Sequence, residues 1–216
     1  MEDTKVLTKK ERVVVYVDGF NLYFGMLNAG FDHCKWLNLL LLTENLLTSN
    51  QELVEVKYFT SSVSNNPEKQ KRQITYIEAL ETVGVKIYYG TYQSDTIECR
   101  KCKYIWPKYN EKMTDVNIAT QILIDAYQDK YDAALLISGD SDLVPPIKVV
   151  HDLFNNKRVF VAFPPNRHNS SVALVAKGSF TIGRKKLIDS QFNDQITKKD
   201  GYVLKKPNQW KTRKED

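Results

Sequence analysis

No apolar run in this chain approaches the roughly 20 residues that a membrane-spanning helix needs, so a membrane protein is not expected. The opening stretch, MEDTKVLTKKERVVVY, sets its charges before a short strand-like run and has no small-residue cleavage site. No signal peptide is read there. Cysteine is scarce, three residues in 216, which excludes a disulfide scaffold and makes a cytoplasmic protein the expectation. Two of the three form a lone Cys99-x-x-Cys102. A structural zinc site needs four ligands, and with no second C-x-x-C only His33, Cys34, His151 and His168 remain to complete one. Free thiols are the default expectation. No internal repeat is visible.

What is present fits one domain. The chain is 42% apolar, long enough to bury a substantial core. Its net charge of +5 is unevenly placed. From Gln195 to Asp216 seven Lys and Arg face three acids, while the rest carries 24 basic and 23 acidic residues. The expected division is a domain over 1–190, with an insert at 92–112, and a basic tail over 191–216. In that tail Tyr202 and Trp210 could stack on bases while the cations meet a polyanion. A solubilising terminus would look the same.

Short apolar runs predict buried strands at Val13–Val17, Leu53–Phe59, Val85–Tyr89, Ala133–Ile137 and Val159–Phe163. Helical spacing fills the gaps. Pro67–Val83 opens with a proline suited to a first turn. Met113–Tyr127 has Thr114 as its expected cap and Val116, Ile118, Ala119, Ile122, Leu123 and Ala126 on one side. Leu143–Phe154 has Ser141 as its expected cap and tolerates its early prolines. Strands alternating with helices predict βαβ units and a mainly parallel sheet with helices on both faces.

Ligand sites in such sheets form at the carboxyl ends of the strands. Asp18 follows the first strand, in VVVYVDGFNLYF. Asp140 follows the strand at 133–137, in LLISGDSDL, with Asp142 two residues on. Asp115 stands in the first turn of its helix. With the usual right-handed crossovers, these four carboxylates converge on one edge. Clustered acids repel and invite a compensating cation. Oxygen donors without His or Cys select Mg²⁺ or Mn²⁺, and the chemistry implied is metal-assisted hydrolysis of a phosphodiester. Each acid alone has a plainer reading. Asp-Gly after a strand makes a turn, SGDSD can cap a helix, and Asp115 suits a helix dipole. Joint placement is the argument. A phosphatase with an Asp nucleophile would want a second acid where Phe20 stands.

The stretches VYVDGFNLYFG, EKMTDVNIATQILIDAY and ALLISGDSDLVPPI, in that order, resemble the NYN domain, a DUF88/LabA-like branch of the PIN-like nuclease superfamily. The resemblance runs from about Val13 to Leu187. It implies a PIN-like three-layer α/β fold and a Mg²⁺- or Mn²⁺-dependent (endo)ribonuclease acting on RNA, single-stranded or structured. By motif position, Asp18 matches the first motif's acid and Asn21 its Asn, a polar partner near the site. Asp115 matches the helix acid, and Asp140 and Asp142 the paired acids. PIN-like domains commonly pair, so the resemblance also implies a homodimer. A catalytically silent RNA-binding or regulatory module on the same fold stays open.

The insert TYQSDTIECRKCKYIWPKYNEK alternates cations with aromatic residues. Arg100, Lys103, Tyr104, Trp106 and Lys112 are read as a single-strand platform beside the site, against the plainer reading of a hairpin with solvated charges. Arg72 is a further candidate phosphate contact.

Overall fold

Alternate residues of β1 (Glu11–Asp18) enter different cores. Val13, Val15 and Val17 pack on one face of the sheet with Trp36, Leu37 and Leu39. Val14 and Tyr16 pack on the other with Ile118, Ile122 and Phe163. A strand buried on both faces reads as an unbroken apolar run, because its side chains alternate between two dry environments. The computed structural model describes residues 9–62 and 66–210, without the side chains of 91–95 and 106–112.

β1 lies at the centre of a six-stranded parallel sheet with β2 (Gln51–Thr60), β3 (Lys86–Tyr89), β6 (Ala133–Ile137), β7 (Arg158–Phe163) and β8 (Gly178–Thr181). The order across the sheet is β3-β2-β1-β6-β7-β8. Four helices supply the first core: α1 (Gly19–Asn28), α2 (Leu39–Leu46), α3 (Pro67–Thr82) and α7 (Arg184–Asp189). α4 (Thr114–Tyr127), α5 (Val144–Leu153) and α6 (Ser170–Val175) supply the second. The result is the three-layer α/β architecture expected. Among the described residues no helix is long and apolar enough to cross a membrane.

The five expected strands and three expected helices are all present, with β8 added to the main sheet and α1, α2, α6 and α7 added around it. The caps differ. Thr114 lies inside α4, whose first flanking residue is Met113 in the left-handed region at φ +79°. Asp140, not Ser141, caps a 3₁₀ turn over Ser141–Leu143 that runs into α5. Val116 is exposed rather than on the buried side of α4.

The insert is a separate antiparallel hairpin of β4 (Thr91–Glu98) and β5 (Ile105–Lys112), leading from the end of β3 directly into α4. The stretch read as a tail is folded as far as Trp210. β9 (Gln195–Thr197) and β10 (Val203–Lys205) form a second hairpin. Leu204 is buried in the first core, and Trp210 packs its ring 6.2 Å from Trp36 and 6.0 Å from Tyr76. Trp210 is thus a core residue, not a free stacking surface. Hydrophobic residues at 196, 204 and 210 outweigh the charges between them.

Beneath α4 the second core holds a charged group. Lys57 on β2, 1% exposed, forms an ion pair with Asp125, which is fully buried. Tyr16 donates to the same carboxylate at 2.7 Å, Gln121 at 2.9 Å, and Lys130 pairs with it at 3.1 Å. Burial opposes the charge on Asp125, but donors from Lys57, Tyr16 and Lys130 outweigh it and hold the carboxyl below the ordinary range.

Candidate active site

β1 and β6 are neighbours, yet the sheet grows outward from them in opposite directions. At such a switch point the connecting loops part and leave a crevice at the strands' carboxyl ends. Asp18 ends β1 there and is buried. Its Oδ1 accepts the Asn21 backbone N–H at 3.0 Å, capping α1. Its Oδ2 accepts from Ser138 Oγ at 2.9 Å, just past β6. Asn21 Oδ1 accepts the Gly139 N–H at 3.0 Å. Two side chains at the end of β1 therefore fasten the end of β6. Asp140 donates its backbone N–H to Ser138 Oγ at 3.1 Å and accepts from Asp142 N–H at 2.9 Å.

Gly139 is required by close approach. A Cβ there would lie 1.8 Å from the Arg167 carbonyl oxygen, which brings the loop after β7 against the site. Asn169 donates to the Gly139 carbonyl at 3.1 Å, closing the same seam.

Asp18, Asp115 and Asp140 line one cleft of about 220 Å³. Asn21, Phe20 and Phe24 of α1, Met113 and Thr114 at the start of α4, and Arg167 complete it. Burial, then the charges of Asp18, Asp140 and Asp142, push the Asp115 carboxyl up to about 6. That is the response of a half-buried carboxylate set among like charges. The all-oxygen donor set fits a hard divalent ion. Among the described residues no three His, Cys, Asp or Glu side chains are gathered into a ready coordination cage. A cation held here would complete its shell with water and substrate oxygens, as Mg²⁺ commonly does.

The other expected site residues lie elsewhere. Asp142 is exposed and outside the lining, although its charge reaches Asp115. Arg72 sits on α3 within 3.9 Å of Glu68 and does not line the cleft. Arg100, Lys103 and Tyr104 occupy the exposed turn of the β4–β5 hairpin, where Lys103 pairs with Glu98 at 2.9 Å. Trp106 and Lys112 belong to β5, and their side chains lie outside the described residues. Cys99 and Cys102 flank the same turn as free cysteines. Sequence reasoning missed Arg167, Ser138 and Phe24. Arg167 leaves no local signal, since a loop after β7 delivers it. Phe24 could have been found from its i,i+4 spacing with Phe20, directly after Asp18.

A parallel α/β sheet with three carboxylates at its switch point defines the class of protein. The chain belongs to the NYN domain family, whose model matches residues 12–182 and which includes nucleases. It is 26% identical over 196 residues to 6-hydroxy-3-succinoylpyridine 3-monooxygenase HspA of Pseudomonas putida. That match covers 74% of this chain and 62% of the relative, so the chain spans less than two thirds of that protein's length. A crystal structure of a protein of unknown function from Vibrio parahaemolyticus shares the fold, with a TM-score of 0.57 and 20% identity. The similarity covers 82% of this chain and 96% of that one.

Proposed function

We propose that this chain is a ribonuclease that hydrolyses RNA phosphodiester bonds with the aid of Mg²⁺ or Mn²⁺. The observation that carries the reading is Asp18, Asp115 and Asp140 lining one cleft at the switch point, with Asp115 pushed up to about 6 by burial and its neighbours' charge. Asp18, Asp115 and Asp140 would hold the divalent ion, which when bound would supply Lewis-acid polarisation of the phosphodiester and of the attacking water. Asp18 is held rigid by Asn21 and Ser138, so it presents its carboxylate in a fixed direction. Asn21 holds the Gly139–Asp140 backbone in register with it. Among the described residues Arg167 is the cation in the lining, and its planar guanidinium suits a phosphate.

The relative's name permits a second reading, because aromatic walls and an arginine would also take a small aromatic acid. The charge of the lining argues against it. Asp18, Asp115 and Asp140 stand beside Arg167 in the cleft, so a small organic acid meets like charge there, whereas a phosphodiester can be bridged to the acids by a divalent ion.

The test is incubation of the purified chain with labelled single-stranded and duplex RNA and DNA, with Mg²⁺, Mn²⁺ or EDTA. RNA cleavage that needs the metal is the expected result. Asp140→Asn should abolish it while the fold stays intact, since asparagine keeps the cap to Asp142. A variant that cleaves as fast as the parent would overturn the site assignment. Tight RNA binding with no cleavage under any metal would favour a silent binding module.

A further inference from the structure

We propose that Phe20 and Phe24 form a stacking ledge for an unpaired nucleobase beside the scissile phosphate, making single-stranded RNA the substrate class. The inference rests on the ribonuclease reading of the same cleft. The two rings sit one helical turn apart on α1, with centroids 6.2 Å apart and planes inclined by 24°. Both line the cleft that holds the three carboxylates. Phe24 is 42% exposed. Tyr23 meets it edge-on at 5.3 Å and 79°, bracing it from the side. Met113, 52% exposed and held in a left-handed backbone conformation, adds apolar lining from the start of α4.

Phe24 and Met113 leave apolar surface exposed beside the three carboxylates of the cleft. A helix-surface aromatic pair can brace its own helix, but that use does not call for a place in the acidic cleft. Two needs of a nucleic-acid strand are met together here. Its phosphates require positive charge, and Arg167 lines the cleft with its Nε buried and unpartnered among the described residues. Its bases require a flat apolar face, which the Phe20–Phe24 ledge presents. In a duplex each base already stacks on its neighbours and its faces are hidden. Only an unpaired base can lie against a side-chain ring. The ledge therefore selects for single strands by geometry, whatever the sequence.

The experiment measures binding apart from chemistry, by fluorescence anisotropy in EDTA. The probes are a labelled ten-nucleotide RNA, the same RNA with one abasic position, and its blunt duplex. The intact chain should prefer the single strand to the duplex. Phe24→Ala should weaken single-strand binding by roughly 5- to 150-fold, the range that loss of one base–aromatic stack gives, with duplex binding little changed. Phe24→Trp should restore it. For the abasic RNA, whichever position is opposite the ledge should cost the parent a similar factor and cost Phe24→Ala nothing more. Equal binding of the single strand by parent and Phe24→Ala, or an equal loss for single strand and duplex, overturns the ledge. If the parent binds no RNA in EDTA the ledge fails, and if it also cleaves none with Mg²⁺ or Mn²⁺ the ribonuclease reading fails with it. If binding depends on Phe24 but no metal supports cleavage, only the ribonuclease reading fails.

Discussion

Burial and the charges of Asp18, Asp140 and Asp142 push the Asp115 carboxyl up to about 6, against 3.8 without them. Between those values the folded chain holds a proton that the unfolded chain has released. Stability therefore falls as pH rises through this window, and the penalty is complete above about 6. Asp115→Asn removes the charge at nearly constant shape. At pH 7 it should raise the thermal midpoint by about 2–4 °C, the shift that roughly 1 kcal/mol produces in a chain of this size. The gain should shrink toward zero by pH 4. A gain that is the same at both pH values would show that electrostatic crowding is not its cause. Asp18 and Asp140 were legible as residues because each closes an apolar run. Arg167 was not, because it reaches the cleft only through contact of its backbone with Gly139.

At the scale of elements, α4 is what brings Asp115 to the edge, and it is fastened at its far end by Asp125. Asp125 shares its carboxylate among Lys57, Tyr16, Gln121 and Lys130. Lys57 retains Glu55 at 3.2 Å as a second partner. Removing one member of a buried ion pair strands the other's charge. Asp125→Leu should cost about 3 kcal/mol, the lower end of what such breaks cost. That corresponds to a fall of roughly 6–12 °C in thermal midpoint, readable by circular dichroism. A variant as stable as the parent would mean that Glu55 alone satisfies Lys57. Asp125 looked like one more helix acid in the sequence. Nothing in its neighbours along the chain shows that Lys57 and Tyr16 come from two strands, β2 and β1, to meet it.

For the whole molecule, the second hairpin changes what the positive C-terminal stretch can do. Lys198 is within 3.3 Å of Glu78, and Lys206 within 3.8 Å of Asp194, so part of its charge is already engaged. Leu204 and Trp210 tie the hairpin to α3 and to the first core. Leu204→Ala should therefore destabilise the protein by about 2–5 kcal/mol, the usual range for a buried leucine. In a chain of this size that lowers the midpoint by at least about 4 °C. An unchanged midpoint would show that the hairpin unfolds independently of the domain. Charge counting favoured a tail because it weighs every lysine equally. Three apolar residues spaced over fifteen positions decide otherwise, because each finds a preformed apolar surface.

The sequence by itself determined five of the six strands of the main sheet, the helices α3, α4 and α5, and the two acids that end β1 and follow β6. Those features depend on side-chain alternation and on neighbours a few residues apart. Only the tertiary structure decided which acids share a cleft, that Asp142 stands outside its lining, and that Arg167 and Phe24 stand inside it. The order β3-β2-β1-β6-β7-β8 sets those meetings. Strand order is chosen by how the whole core packs, and no local stretch of the chain encodes it.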